Sequence, residues 1–103
     1  MHPHQSPSRR VEVASGQAPV ALVIGCADSR VPPEIVFDCG LGELLVVRTA
    51  GGVVGTAGLA TVEYGVAHLS ISLVVVLGHT GCGAIKAAIA AETAGEPPAD
   101  LQP

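Results

Sequence analysis

Two short stretches of this sequence carry side chains that can bind a metal ion. The first, Cys26-Ala27-Asp28-Ser29-Arg30, supplies a thiol and a carboxylate, and the second, His79-Thr80-Gly81-Cys82, supplies an imidazole and another thiol. Two thiolates, one imidazole and one carboxylate make a tetrahedral ligand set for zinc, and thiolates select zinc over magnesium or calcium. The alternative is that both cysteines are small buried apolar residues and that His79 belongs to a turn. Because the two stretches occur together, we favour the metal site.

Asp28 and Arg30 lie two residues apart and can interact. As a surface ion pair they would contribute little stability. Beside a metal ion the pair becomes a switch. While Arg30 holds Asp28, the fourth zinc position is open to water, and when Arg30 releases Asp28, the carboxylate can occupy that position. The motif is therefore compatible with a catalytic zinc and with a structural one.

Each stretch directly follows an apolar run that ends in glycine, at residues 20–25 and 74–78. Runs that are apolar at successive positions are typical of strands buried on both faces of a parallel sheet. We expect strands at about 20–25, 44–49 and 73–77, and helices at about 32–39, 56–69 and 83–94. The helix over 56–69 presents one apolar face, formed by Leu59, Val62, Val66 and Leu69.

Strands that alternate with helices predict βαβ units, so we expect an α/β fold with three layers, a mostly parallel sheet and flanking helices. Ligands of such sheets bind beyond the C-terminal ends of the strands, where the strand order reverses. Both metal-binding stretches follow C-terminal strand ends. They are therefore expected to meet at that edge.

The chain length and composition narrow the possible classes of protein. The 103 residues suffice for one small domain. We expect a flexible tail over residues 1–16, a zinc-binding α/β domain over 17–96 and a polar tail over 97–103. A net charge of -4 without a basic patch argues against nucleic-acid binding. No run approaches the ~20 apolar residues of a membrane span, and an odd count of three cysteines indicates reduced thiols, as in a cytoplasmic protein.

The two stretches together resemble the motifs of β-class carbonic anhydrases, the first extended by Val31-Pro32 and the second by Gly83. The resemblance runs from about residue 16 to residue 94. The resemblance implies that Cys26, His79 and Cys82 hold Zn²⁺. It also implies that Asp28 either binds the metal or, with Arg30, orients the zinc hydroxide, which makes these two the catalytic residues. The implied activity is that of a carbonate dehydratase, a lyase: reversible hydration of CO2 to bicarbonate and a proton by zinc-bound hydroxide.

The same resemblance assigns residues to substrate binding. Gln17 matches the glutamine with which plant-type members hydrogen-bond bicarbonate, and Tyr64 matches a pocket-lining tyrosine given by the neighbouring subunit. The backbone N–H of Gly83 resembles a group that contacts substrate, and Leu45 stands where many members carry phenylalanine. A residue given by a neighbour implies a homodimer or a higher homo-oligomer.

Family members are commonly near twice this size, so we expect a shortened member that is poorly stable as a monomer. Two alternatives to a carbonic anhydrase therefore stay open. Such a chain could be a non-catalytic fragment that binds zinc or bicarbonate, or a related hydrolase of CS2 or COS on the same fold. The pair of Asp28 and Arg30 favours the carbonic anhydrase, because a purely structural zinc needs no arginine there.

Overall fold

The described chain, residues 2–95 of a computed structural model, alternates helices with strands. In chain order its elements are α1 (Pro7–Glu12), β1 (Ala21–Cys26), α2 (Pro33–Val36), β2 (Leu44–Thr49), a 3₁₀ turn (Ala50–Gly52), α3 (Gly55–His68), β3 (Val74–Val76) and α4 (Gly83–Thr93). The tail expected over residues 97–103 lies outside the described residues. None of the helices within the described range is long and apolar enough to cross a bilayer.

The three strands form a parallel sheet in the order β2-β1-β3 with helices flanking it, which confirms the predicted fold class. All six residues of β1 are buried, as expected for a central strand that is apolar at successive positions. The register pairs Leu22 with Leu45 on one side and with Val74 on the other. Because the chain leaves β1 first toward β2 and later returns to β3, the strand order reverses between β1 and β3. Both metal-binding stretches begin at that reversal.

Helix α3 packs on the sheet through glycines, and this corrects the predicted apolar face. Leu59 is 53% exposed and Val66 is 50% exposed, whereas Gly58 and Gly65 are buried. Val62 and Leu69, the other members of the predicted face, do pack against the core, which consists of Leu22, Ile24, Val47 and Ile71. A glycine brings the helix backbone close to the sheet because no Cβ intervenes. Apolar periodicity cannot reveal such a face, since glycine contributes almost nothing to it.

Helix α2 and strand β3 are shorter than predicted. Helix α2 ends at Val36 rather than near Cys39, because Asp38 adopts a left-handed φ of 51°, which ends a helix. Strand β3 comprises three residues at the sheet edge, where Val74 is 42% and Val76 77% exposed. It pairs with β1 on one side, so its apolar side chains are less covered than those of the central strand.

Residues 2–16, for which the sequence predicts a flexible tail, include the short helix α1 and hydrogen bonds to the rest of the chain. Ser6 caps α1 by accepting a hydrogen bond from the Arg9 backbone N–H. The segment lies against the loop before β2, where the Leu41 N–H donates to the His4 carbonyl at 2.8 Å and Gln5 Nε2 donates to the Cys39 carbonyl at 3.1 Å. Each of these contacts is a hydrogen bond that involves a backbone group, so the contacts leave no hydrophobic period in the sequence.

Candidate metal centre

Cys26, His79 and Cys82 converge at the C-terminal edge of the sheet. Cys26 ends β1, and the other two lie in the loop between β3 and α4. Their ligand atoms all lie within 4.8 Å of one another, and the two sulfur atoms are 3.8 Å apart. A disulfide would bring the sulfur atoms to about 2.05 Å, whereas two thiolates on one tetrahedral zinc, each bonded at about 2.3 Å, stand about 3.8 Å apart. The spacing therefore suits one shared ion.

The imidazole of His79 has the tautomer that a metal ligand needs. Its Nδ1 lies 2.9 Å from the Thr80 carbonyl, which can only accept, so Nδ1 carries the hydrogen. The lone pair of Nε2 then faces the two sulfur atoms. Within residues 2–95, Nε2 is the one buried side-chain nitrogen or oxygen atom without a hydrogen-bond partner. A buried unpaired acceptor costs free energy, and a metal ion would satisfy it.

Asp28 lies beside this cluster and is held by Arg30. Arg30 donates from Nε to Oδ1 at 2.9 Å and from Nη2 to Oδ2 at 2.6 Å, and its backbone N–H adds a third bond to Oδ1 at 2.9 Å. Oδ2 lies 3.9 Å from His79 Nε2. The hydrogen bonds from Arg30 hold the pKa of Asp28 well below its usual range, so the carboxylate is ionised near neutral pH. Arg30 also donates to the Gly81 carbonyl at 3.2 Å, which ties the two metal-binding stretches together.

The environment of Cys26 favours its thiolate form. The pKa of Cys26 falls from 9.0 to about 7, first because the His79 imidazole lies beside the sulfur and next because the Asp28 backbone N–H points at it. The N–H groups of Asp28 and Gly51 lie 3.4 and 3.3 Å from Sγ. In metal-free protein the Cys26 sulfur, and next the Thr80 carbonyl, raise the pKa of His79, and a metal ion at Nε2 would take the place of the added proton. Thiolate is the form that binds metals, so this donor set fits zinc.

The predicted substrate residues divide into one near the cluster and three away from it. Gly83 is the first residue of α4 and directly follows Cys82. Gln17 is exposed and precedes β1, whose six residues span about 20 Å before Cys26 is reached. Leu45 packs against the core beneath α3, and Tyr64 lies on α3, 47% exposed and stacked on His68. A single chain therefore does not bring Gln17, Leu45 and Tyr64 to the metal ligands.

Two groups at the site were not recognised from the sequence. Arg48 in β2 donates to the carbonyls of Cys26 and Asp28, and the Gly51 N–H points at the Cys26 sulfur. The sequence does carry a signal for Arg48, since it is a lone arginine near the end of the apolar run Leu44–Thr49. The Gly51 N–H left no signal, because every residue other than proline carries a backbone N–H and the residue type does not show where it points.

Comparisons with known proteins agree with this geometry. The carbonic anhydrase family model matches residues 21–102. Carbonic anhydrase 2 of Mycobacterium tuberculosis is 56% identical over 90 residues, which cover 87% of this chain and 44% of that protein. A Coccomyxa β-carbonic anhydrase, solved in complex with acetazolamide, superposes with a TM-score of 0.73 at 44% identity and covers 77% of this chain and 37% of that one.

A tetrameric β-carbonic anhydrase of Sordaria macrospora superposes with a TM-score of 0.76 at 37% identity, covering 84% of this chain and 45% of that one. The chain thus spans less than half the length of these relatives. It nevertheless contains the sheet edge at which the two metal-binding stretches meet. From the family match, these similarities and the cluster of two thiols and one imidazole, we conclude that the chain belongs to the β-class carbonic anhydrase family.

Proposed function

We propose that this chain binds zinc and takes part in the reversible hydration of CO2 to bicarbonate and a proton. The observation that carries the proposal is the buried, unpartnered Nε2 of His79, which faces two sulfur atoms beside an ionised carboxylate. The relatives reported above are named carbonic anhydrases, which supports the same reaction.

Cys26, His79 and Cys82 would hold the ion. When bound, zinc supplies a Lewis acid that makes water a nucleophile at neutral pH, a role for which carbonic anhydrases are themselves the standard example. Asp28 acts as a fixed hydrogen-bond acceptor at Oδ2, because a carboxylate of such low pKa is a weak general base. Arg30 keeps both carboxylate oxygens in place, and its bond to the Gly81 carbonyl fixes their direction relative to His79 and Cys82.

We also propose that a second copy of the chain completes the substrate site. Gln17 and Tyr64 are exposed and lie away from the metal ligands of their own chain, so they are free to face the site of a neighbouring copy. The Sordaria macrospora relative is described as tetrameric. Sedimentation of purified protein tests this proposal, and a stable monomer with full activity would contradict it.

A non-catalytic zinc protein is the second candidate. The observation that favours it is the sheet edge, where Val74 is 42% and Val76 77% exposed. In that case zinc would hold the two loops together without turnover. The pair of Asp28 and Arg30 has no evident purpose under this alternative.

Metal analysis combined with stopped-flow CO2 hydration distinguishes the two candidates. We expect about one zinc per chain and measurable hydration. Cys82→Ser should lose both, whereas Arg10→Lys on the exposed side of α1 should lose neither. Zinc without hydration in the unmodified chain would establish the non-catalytic alternative, and protein purified with no affinity for zinc would refute both.

A further inference from the structure

Arg48 is the one charged residue of β2. The register pairs it with Gly25, so β1 presents no side chain beside it. Its guanidinium is partly buried and donates from Nε to the Cys26 carbonyl at 3.0 Å and from Nη2 to the Asp28 carbonyl at 2.7 Å. The two carbonyls flank Ala27, so one planar group spans the turn from the first metal ligand to the carboxylate.

We propose that Arg48 is a positioning residue that fixes the turn from Cys26 to Asp28, so that the sulfur and the carboxylate face the same point. The role of Arg48 deepens the proposed function, and it rests on that function for the measurements made on metal-bound protein. Arg48 touches none of the ligand atoms and acts through the backbone. Asp28 is consequently held twice, at its carbonyl by Arg48 and at its carboxylate by Arg30.

The backbone hydrogen bonds around this turn show why the bonds from Arg48 matter. The Ala27 N–H donates to the Thr49 carbonyl at 2.8 Å, which continues the strand pairing by one residue. Beyond it the Asp28 carbonyl accepts from the Val31 N–H at 3.2 Å, a bond within the turn itself. Past Ala27, the Arg48 bond to the Asp28 carbonyl ties the turn to β2. Its loss would let the Asp28 carboxylate shift relative to the Cys26 sulfur, which β1 holds in the sheet.

Lysine cannot reproduce the contact. An arginine donates from two nitrogens at a fixed separation, whereas a lysine donates from one nitrogen on a flexible stem. Arg48→Lys therefore keeps the charge and most of the packing but cannot place two separate donor nitrogens on the two carbonyls. Groups that orient metal ligands typically change affinity or activity by about 10- to 100-fold when they are replaced.

The test compares the unmodified chain with Arg48→Lys, Arg48→Gln and the control Arg10→Lys. First, hydrogen–deuterium exchange of the peptide over residues 26–32 is measured in metal-free and zinc-loaded protein. Second, the visible absorption of cobalt-substituted protein reports the ligand geometry. Third, kcat and KM for CO2 hydration are measured separately. Exchange over α3 is followed in every variant as a measure of the whole fold.

We expect both Arg48 variants to exchange faster over residues 26–32, with exchange over α3 unchanged, and to show altered cobalt bands. We expect kcat to fall about 10-fold or more while KM stays constant. Unchanged exchange and unchanged cobalt bands in Arg48→Lys would overturn the proposal, and so would faster exchange that extends equally over α3. If the unmodified chain hydrates no CO2, the proposed function fails, and the exchange and cobalt measurements still decide the role of Arg48.

Discussion

Arg30 binds both carboxylate oxygens of Asp28, with Nε 2.9 Å from Oδ1 and Nη2 2.6 Å from Oδ2. Asp28 is 15% exposed and Arg30 is 66% exposed, so the arginine covers the carboxylate from the solvent side. The carboxylate thereby stays beside the metal ligands, with Oδ2 3.9 Å from His79 Nε2. Under the function proposed above, the side chains that would hold the metal and those that would direct chemistry at it are separate groups.

Replacing Arg30 should separate metal binding from turnover. We expect Arg30→Ala to abolish CO2 hydration while zinc stays near one per chain, because Arg30 contacts none of the three ligand side chains. Arg30→Lys should recover little activity, since an ammonium lacks the two separate donor nitrogens that hold both carboxylate oxygens in a fixed direction. Zinc analysis and stopped-flow assays check this, with Arg10→Ala as the control, and retained turnover in Arg30→Ala would remove the role we assign to Asp28 and Arg30.

The metal-free protein should contain a thiol that ionises near neutral pH. The pKa of Cys26 is lowered from 9.0 to about 7, with His79 as the largest cause. The difference in thiolate absorbance between the unmodified chain and Cys26→Ser should therefore show a midpoint near 7, and His79→Gln should move that midpoint upward. A midpoint near 9 in the unmodified chain would contradict the geometry of the cluster.

The lowered pKa of Cys26 also makes the free energy of unfolding of the metal-free protein depend on pH. Because folding favours the Cys26 thiolate, the stability that this thiolate contributes is complete above its pKa in the unfolded chain, 9.0. That stability is lost as the pH falls through about 7. Denaturant titrations at several pH values measure it. In Cys26→Ser this part of the pH dependence should disappear, and an identical pH dependence in the two proteins would refute the assignment.

Gly65 should not tolerate a side chain. A Cβ at this position would lie 2.9 Å from Leu45 Cδ2 and 3.0 Å from Leu22 Cδ1, inside the contact between α3 and the sheet. We expect Gly65→Val to lower the free energy of unfolding by about 1–3 kcal/mol, the range for overpacked cores. Ala67→Val, on the exposed side of the same helix, controls for the helix propensity of valine. Equal unfolding midpoints for the two variants would show that α3 does not pack through its glycines.

Gly40 should be needed for the docking of the N-terminal segment. A Cβ there would collide with the carbonyl oxygens of Pro3 and His4, which are backbone atoms that cannot rotate away. Gly40→Ala should therefore break the bond from the Leu41 N–H to the His4 carbonyl, at a cost of about 1 kcal/mol, and speed exchange at Leu41. Gly16→Ala is the control, because a Cβ at Gly16 would have no atom of the described part of the chain within 4 Å. Normal protection of Leu41 in Gly40→Ala would disprove the contact.

Much of the fold could be predicted from local patterns. The apolar run over Leu44–Thr49 became a strand with the bounds expected, and Ala21–Cys26 differed by one residue. The helix expected over 83–94 is observed over Gly83–Thr93. These elements are predictable because hydrophobic periodicity and glycine breaks act within a few residues of chain.

The sequence by itself determined the ligand types, their placement after parallel strands and hence the expectation of a shared zinc site. The tertiary structure alone decided that α3 packs through Gly58 and Gly65 and that Arg48 reaches two backbone carbonyls some twenty residues earlier. It also decided that His79 Nε2 finds no hydrogen-bond partner among the residues that the structure describes. The physical reason is that the apolar pattern that predicts burial can be recognised within a few neighbouring residues of the chain. The partners of a backbone carbonyl or an imidazole nitrogen, in contrast, depend on the register of β1 with β2 and β3, which is fixed only when the sheet forms.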